Sequence, residues 1–251
     1  MEPYVHSTIK EDRIEIEFFH PSGNSLPGVS LSRLVSAIQD AESAKPNVIL
    51  LKSGGDRTFC AGASFDELTS ITNEAEGLQF FSGFANVINA MRKSSKLVLT
   101  RVQGKAVGGG VGLISGSDHV IATKYASVRL SELAIGIGPF VIGPAVERKT
   151  GVSAFAKMAL TPDEWQTAQW AKEHNLLQEV FDEIDQVDQY IEALIVKWNT
   201  YSPEAIHALK KIIWQGTDHW DELLWERAAI SGRLVLSQFT REAIEAFRNK
   251  A

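Results

Sequence analysis

The segment that most restricts this chain is Gly104-Lys-Ala-Val-Gly-Gly-Gly-Val-Gly-Leu113, which places four glycines in positions 108–112. Glycines in such number are costly in backbone entropy, so a conformational requirement must keep them. Exposed N–H groups in a loop of this kind, running into a helix N-terminus, favour an anion or a developing oxyanion. A phosphate-cradling loop is excluded, because no Gly-Lys-Ser/Thr follows. A dinucleotide fingerprint comes closer: Gly110-x-Gly112-x-x-Ser115 nearly matches, and Glu132 lies 20 residues past Gly112. The third glycine is missing, however, and a strand opens at Val120, too soon for the usual crossover helix. A nicotinamide enzyme therefore ranks well behind.

Around this run the apolar pattern alternates between strand and helix periods. Residues 5–17 read as an opening hairpin about Glu11-Asp12, closed by His20-Pro-Ser-Gly-Asn24. Leu31, Leu34, Val35 and Ile38 predict an amphipathic helix over 30–42, and residues 74–91 predict another. Residues 47–52, 97–102, 120–122 and 128–130 read as short buried strands. This succession implies a layered α/β core with parallel pairing. From Ser153 onward the chain reads as helices, with Thr161-Pro-Asp-Glu164 and Ser202-Pro203 as helix starts and Thr240 as a cap of the last.

Composition narrows the function. The 251 residues carry 25 Lys plus Arg against 31 Asp plus Glu, a formal net charge of −6, which argues against nucleic acid. One cysteine makes neither a disulfide framework nor a cysteine zinc cage. Six scattered histidines give no metal-ligand spacing. With no basic leader and no apolar run approaching the ~20 residues a membrane span needs, the expectation is a cytoplasmic protein acting on small molecules.

Two further segments carry candidate chemistry. In Thr58-Phe-Cys-Ala-Gly-Ala-Ser-Phe-Asp-Glu-Leu68, the small residues Ala61, Gly62 and Ala63 permit a close backbone approach to a ligand; taken alone, the segment is better read as an ordinary strand-to-helix turn. In Ser131-Glu-Leu-Ala-Ile-Gly-Ile-Gly-Pro-Phe-Val-Ile-Gly-Pro144, Glu132 and Arg129 are the only charges between Lys124 and Glu147. A carboxylate in such surroundings has a raised pKa and suits proton transfer near neutrality; the alternative is an Arg129–Glu132 surface pair. Cys60 reads as a small buried hydrophobe, and Phe80, Phe81 and Phe84 as core.

Taken in order, Phe59-Cys-Ala-Gly-Ala63, the run from Gly104 to Leu113, and Ser131-Glu-Leu-Ala-Ile-Gly136 with Pro139 resemble the enoyl-CoA hydratase/isomerase (crotonase) family. Residues 168–180 and Ser202-Pro-Glu-Ala205 with Lys210 are similar to its later helices. The resemblance implies an α/β, crotonase-like core of repeated ββα turns over residues 1–195. A C-terminal helical trimerisation region over 196–251 would follow, with assembly as a homo-trimer or hexamer. It implies an acyl-CoA thioester as substrate and a thioester enolate as intermediate. No metal or separate cofactor is called for, since coenzyme A is part of the substrate.

By the same resemblance Glu132 is the general acid/base, and the Ala63 and Gly109 N–H groups form the oxyanion hole. Ala61, Ser64, Phe65, Asp66, Gly112, Pro139 and Phe140 fall at the substrate. Three departures stand out. Gly112 replaces the first family glutamate, Ser64 stands where Asp is usual, and bulky Phe140-Val141-Ile142 replaces a small glycine-rich segment.

One carboxylate suits double-bond isomerisation; hydration needs that carboxylate to act twice, or a second acid such as Asp66 or Glu67. A glutamate installed at position 112 is expected to raise hydration if only that carboxyl is missing. Branched substrates such as methylglutaconyl-CoA would fit a reshaped acyl site. The alternative is a non-catalytic acyl-CoA-binding or scaffolding member of the family.

Overall fold

The computed structural model describes residues 2–248. Among the described residues the strands are β1 (Tyr4–Ile9), β2 (Ile14–Phe19), β3 (Val48–Ser53), β4 (Thr58–Cys60), β5 (Leu97–Val102), β6 (Lys105–Val107), β7 (His119–Thr123), β8 (Ser127–Arg129), β9 (Gln166–Thr167) and β10 (Glu179–Phe181). They form a six-stranded sheet ordered β1-β2-β3-β5-β7-β10 and a four-stranded sheet ordered β4-β6-β8-β9. Pairing is parallel except at the opening hairpin and at β8–β9.

The helices are α1 (Gly28–Asp40), α2 (Phe65–Ser70), α3 (Glu74–Lys93), α4 (Gly109–Gly116), α5 (Gly143–Leu160), α6 (Ala168–Glu173), α7 (Ile184–Trp198), α8 (Pro203–Ile213), α9 (Trp220–Leu234) and α10 (Gln238–Arg248). Three times the chain passes from a strand of the large sheet to one of the small sheet and then into helix: β3–β4–α2, β5–β6–α4 and β7–β8–α5. This repetition sets the ends of β4, β6 and β8 side by side.

The period of two in each strand decides which core it serves. In β3, Ile49 and Leu51 enter the main core. Val48 and Leu50 join Leu99 and Ile121 under Val187, Ile191 and Ile195 of α7. Covered on both faces, β3 must be apolar almost throughout, as its sequence VILLKS shows.

The C-terminal helices are anchored by polar contacts as well as by packing. Lys210 of α8 is buried, and its Nζ donates to Asp118 Oδ2 (2.9 Å) and to the carbonyls of Met91 (2.9 Å) and Lys96 (2.5 Å). Asp118 Oδ1 also accepts from Trp214 Nε1 at 2.6 Å. Where α9 crosses α3, Gly77 and Gly232 meet backbone to backbone; a Cβ on Gly77 would lie 2.6 Å from Gly232 Cα.

Three expectations for this third are corrected. It is not wholly helical, since β9 and β10 join the two sheets. Thr161 does not begin a helix: its hydroxyl donates to the Lys157 carbonyl (2.8 Å) and ends α5, while Thr167 caps the next helix by accepting from Trp170 N–H (3.1 Å). Thr240 does not cap α10, because its own N–H donates to Ser237 Oγ (3.2 Å), one turn earlier. Ser202 does cap α8, accepting from Ala205 N–H at 3.3 Å.

Candidate active site

The ends of the three small-sheet strands converge. After β4 the chain turns at Gly62 (φ +91°), where a Cβ would lie 2.9 Å from the Val107 carbonyl oxygen and 3.5 Å from Gly109 N. Only glycine lets the two turns approach so closely. A bridge to the entry of α1 fixes the first turn: Leu26 N–H donates to Gly62 O (2.8 Å) and Ser64 N–H to Leu26 O (3.3 Å). That bridge uses the groups before and after Ala63 and leaves the Ala63 N–H facing the other way.

After β6, Gly108 adopts φ +51° and its carbonyl begins α4 by accepting from Val111 and Gly112. Gly109 is the first residue of α4, where no intrahelical acceptor exists. Among the described residues no protein acceptor takes the N–H of Ala63 or of Gly109.

After β8, Glu132 opens a 3-10 turn, Glu132–Ile135. Its carboxyl lies against Gly108, whose Cβ would stand 2.9 Å from Oε1. Glu132 Oε2 is buried with no hydrogen-bond partner. Burial pushes the Glu132 pKa up to about 7; a backbone hydrogen bond at its own residue and the charge of Arg129 partly oppose the rise. No Arg129–Glu132 ion pair forms within 4.0 Å, so the surface-pair reading is set aside. A carboxyl with this pKa both accepts and returns a proton near neutral pH.

Comparisons with known proteins give the family. The enoyl-CoA hydratase/isomerase family profile matches residues 8–248. The chain belongs to the enoyl-CoA hydratase/isomerase family. It is 28% identical over 237 residues to 2,3-dehydroadipyl-CoA hydratase of Escherichia coli, covering 90% of this chain and 88% of that protein. It is 27% identical over 116 residues to ethylmalonyl-CoA decarboxylase of Xenopus tropicalis, covering 46% of this chain and 39% of the relative, so the match spans about two-fifths of that relative. An enoyl-CoA hydratase structure from Bacillus halodurans shares the fold, with a TM-score of 0.89 at 20% identity over 97% of this chain and 99% of that one. The chain is thus a crotonase-family protein, and these named relatives are a hydratase and a decarboxylase.

Against the crotonase pattern, the remaining site residues fall as follows. Ala61 and Asp66 are exposed. Ser64 caps α2, accepting from Glu67 N–H at 3.4 Å. Phe65 is half-buried beside the cluster of Leu68, Ile137, Val235 and Ile244. Glu67, a candidate second acid, accepts from Gly28 N–H through Oε2 (2.8 Å) and thereby ties α2 to α1. The Pro139 carbonyl accepts from Gly143 N–H (2.8 Å), and the Phe140 ring covers Gly138. Gly112 is buried, and a Cβ there would lie 2.5 Å from Ile142 Cγ2, so Ile142 packs directly against this glycine.

Cys60 is buried and its thiol is pushed up to about 12, which removes it as a nucleophile. Among the described residues no cluster of His, Cys, Asp or Glu is placed to hold a metal, and no helix is long and apolar enough to cross a membrane. A cavity of about 770 Å³ between α1 and α3, with Leu31, Val35, Asn86 and Trp225 on its walls, lies apart from Glu132. Sequence reasoning missed Trp165, whose ring carries the Arg129 guanidinium at 4.6 Å. The pairing of β8 with β9 brings them together, and a two-residue strand leaves no periodic signal.

Proposed function

We propose that this chain acts on an acyl-CoA thioester through an enolate, with Glu132 as the single proton-transfer group and the Ala63 and Gly109 N–H groups as the oxyanion hole. The observation that carries the reading is the Glu132 carboxyl itself. It is buried, has an unpartnered oxygen, titrates near 7, and lies against the glycine that precedes the Gly109 donor. A carboxyl kept for structure would have hydrogen-bond partners, so a non-catalytic binding role gains no support.

Placed in this site, the thioester carbonyl oxygen accepts from both N–H groups. Glu132, ionised, removes a proton from carbon beside the carbonyl, and the charge moves onto that oxygen. Removing one such donor typically costs about 10²–10³ in rate. For a 3-enoyl thioester the protonated Glu132 then returns its proton two carbons farther along, and the double bond moves into conjugation. Hydration would need the same carboxyl to activate water and deliver the proton, because Gly112 supplies none and Glu67 is engaged with Gly28.

Ile142 and Phe140 reshape the acyl side of the site, which suits a short or branched chain such as methylglutaconyl-CoA. The names of the two relatives also point to short dicarboxylic acyl groups. Coenzyme A enters as part of the substrate. Assembly as a trimer or a dimer of trimers is supported by exposed Leu209, Ile212 and Ile213 on α8, apolar groups that a neighbouring copy would cover. The test is E132Q: acyl-CoA binding is retained and turnover is lost, whereas unchanged turnover overturns the assignment.

A further inference from the structure

The small sheet buries one face and turns the other outward. Ala106 of β6, Val128 of β8 and Gln166 of β9 are buried, so the period of two sends their neighbours the opposite way. Val107 pairs with Arg129, and Val128 with Gln166. Continuing that register sets Arg129 beside Trp165, and its guanidinium lies 4.6 Å from the indole centroid. Lys105, two residues before Val107 and on the same face, brings its Nζ to 5.0 Å from that centroid. Strand β6, strand β8 and the entry to β9 thus gather two cations at one ring. Arg129 and Lys105 are also the only charged residues in β4, β6, β8 and β9.

The protein answers neither cation. Among the described residues neither has an ion pair within 4.0 Å or a side-chain hydrogen bond, and Arg129 Nε is buried without a partner. Asp163 and Glu164, just before Trp165, are exposed and pair with neither. Other cations resting on rings are satisfied. Lys124, over Tyr125, pairs with Asp182 and Glu183, and Arg148, over Trp214, donates to the Ile213 and Gln215 carbonyls. A buried donor is ordinarily paired, and two like charges side by side call for a counter-charge. A guanidinium held on an aromatic face keeps its in-plane donors for the two-point contact that suits a carboxylate or a phosphate. We propose that Arg129 and Lys105, on the Trp165 ring, form a binding site for a small-molecule oxyanion, a carboxylate or a phosphate. Its frame is rigid, because strand pairing sets all three residues, and the Arg129 carbonyl accepts from Gly108 N–H at 2.9 Å. The anion comes free from solution or as part of an acyl-CoA; the site does not depend on the role given to Glu132.

The test is calorimetric titration of the full chain with inorganic phosphate, glutarate, butyryl-CoA and glutaryl-CoA. An ionic strength of about 0.15 M screens attraction beyond ~8 Å. At least one probe should bind the parent at one equivalent per chain, and R129Q should weaken that probe about tenfold or more. R129K should restore little, because an ammonium lacks the planar fork. K105Q, at an exposed position, should weaken the same probe about threefold and serves if R129Q does not fold. K124Q, which removes a cation whose acids are present, should change nothing. The pattern across probes names the source. A loss for glutaryl-CoA alone among the thioesters assigns the anion to the acyl end, and an equal loss for both assigns it to a coenzyme A phosphate. A loss confined to phosphate or glutarate assigns a free anion. Affinities in R129Q, or in K105Q where R129Q does not fold, equal to the parent's for every probe overturn the proposal, and so does an equal loss in K124Q. Absence of a loss together with a changed oligomeric state in R129Q, read by sedimentation, gives the two cations to a contact between copies and overturns it as well.

Discussion

The Glu132 carboxyl fills the space that a side chain at residue 108 would occupy, since a Cβ on Gly108 would stand 2.9 Å from Oε1. Gly108 also adopts φ +51°, a conformation L residues rarely take. G108A should therefore strain the turn before α4 and push the carboxyl away from the Gly109 N–H. Displacing a catalytic group by about 1 Å can cost roughly 10²-fold. Steady-state kinetics on an active acyl-CoA should show a loss of that order in kcat, with binding of the thioester retained.

Burying Glu132 makes stability depend on pH with a definite sign. Its folded pKa of about 7 stands above its ordinary value of 4.5, so the native state holds the proton more tightly than the unfolded chain. Its contribution is full below pH 4.5 and is lost as pH rises through 7. The whole step is about 3 kcal/mol. Urea unfolding of parent and E132Q should show the mutant gaining on the parent between pH 5 and pH 8. A difference independent of pH would contradict the burial argument.

Lys210 presents the opposite case, a buried charge whose partners are complete. K210A removes the cation facing Asp118 and frees the carbonyls of Met91 and Lys96. Breaking one side of such a pair costs about 3–5 kcal/mol. Chemical denaturation should register a loss of this size, while the protein that remains folded keeps its turnover, because Lys210 clamps α8 and touches no reacting group.

Gly112 shows why restoring the family glutamate is not a single change. The expectation that a carboxyl at 112 raises hydration has to reckon with Ile142, whose Cγ2 would meet the new Cβ at 2.5 Å. Overpacking of this kind costs roughly 1–3 kcal/mol. G112E alone should lose stability with no gain in water addition; with I142A beside it, stability should recover and hydration rise. A gain in G112E alone would show that α4 and the segment before α5 yield more easily than their packing implies.

Much of this architecture was legible from short-range pattern. The glycine run, the strands around it and Glu132 in an uncharged stretch each carry a local signal, and the strand at 97–102 falls where its apolar residues place it. What escaped was set by distant partners. Thr161-Pro-Asp-Glu164 has the form of a capping box, yet the Thr161 hydroxyl is taken by the helix behind it. Strand β9 is two residues long, too short for any alternation. The Trp165 platform exists only once β8 and β9 pair, and the seal over Gly112 only once Ile142 folds onto α4.

The most direct measurement is proton exchange by the parent and by E132Q. A panel of 2-enoyl- and 3-enoyl-CoA thioesters would be incubated with each protein in deuterated water and read by mass spectrometry. For the parent we expect deuterium on carbon with double-bond migration in at least one thioester, and for E132Q a loss of about 10²-fold or more. Equal deuterium incorporation by the two proteins would contradict the claim that Glu132 moves the proton.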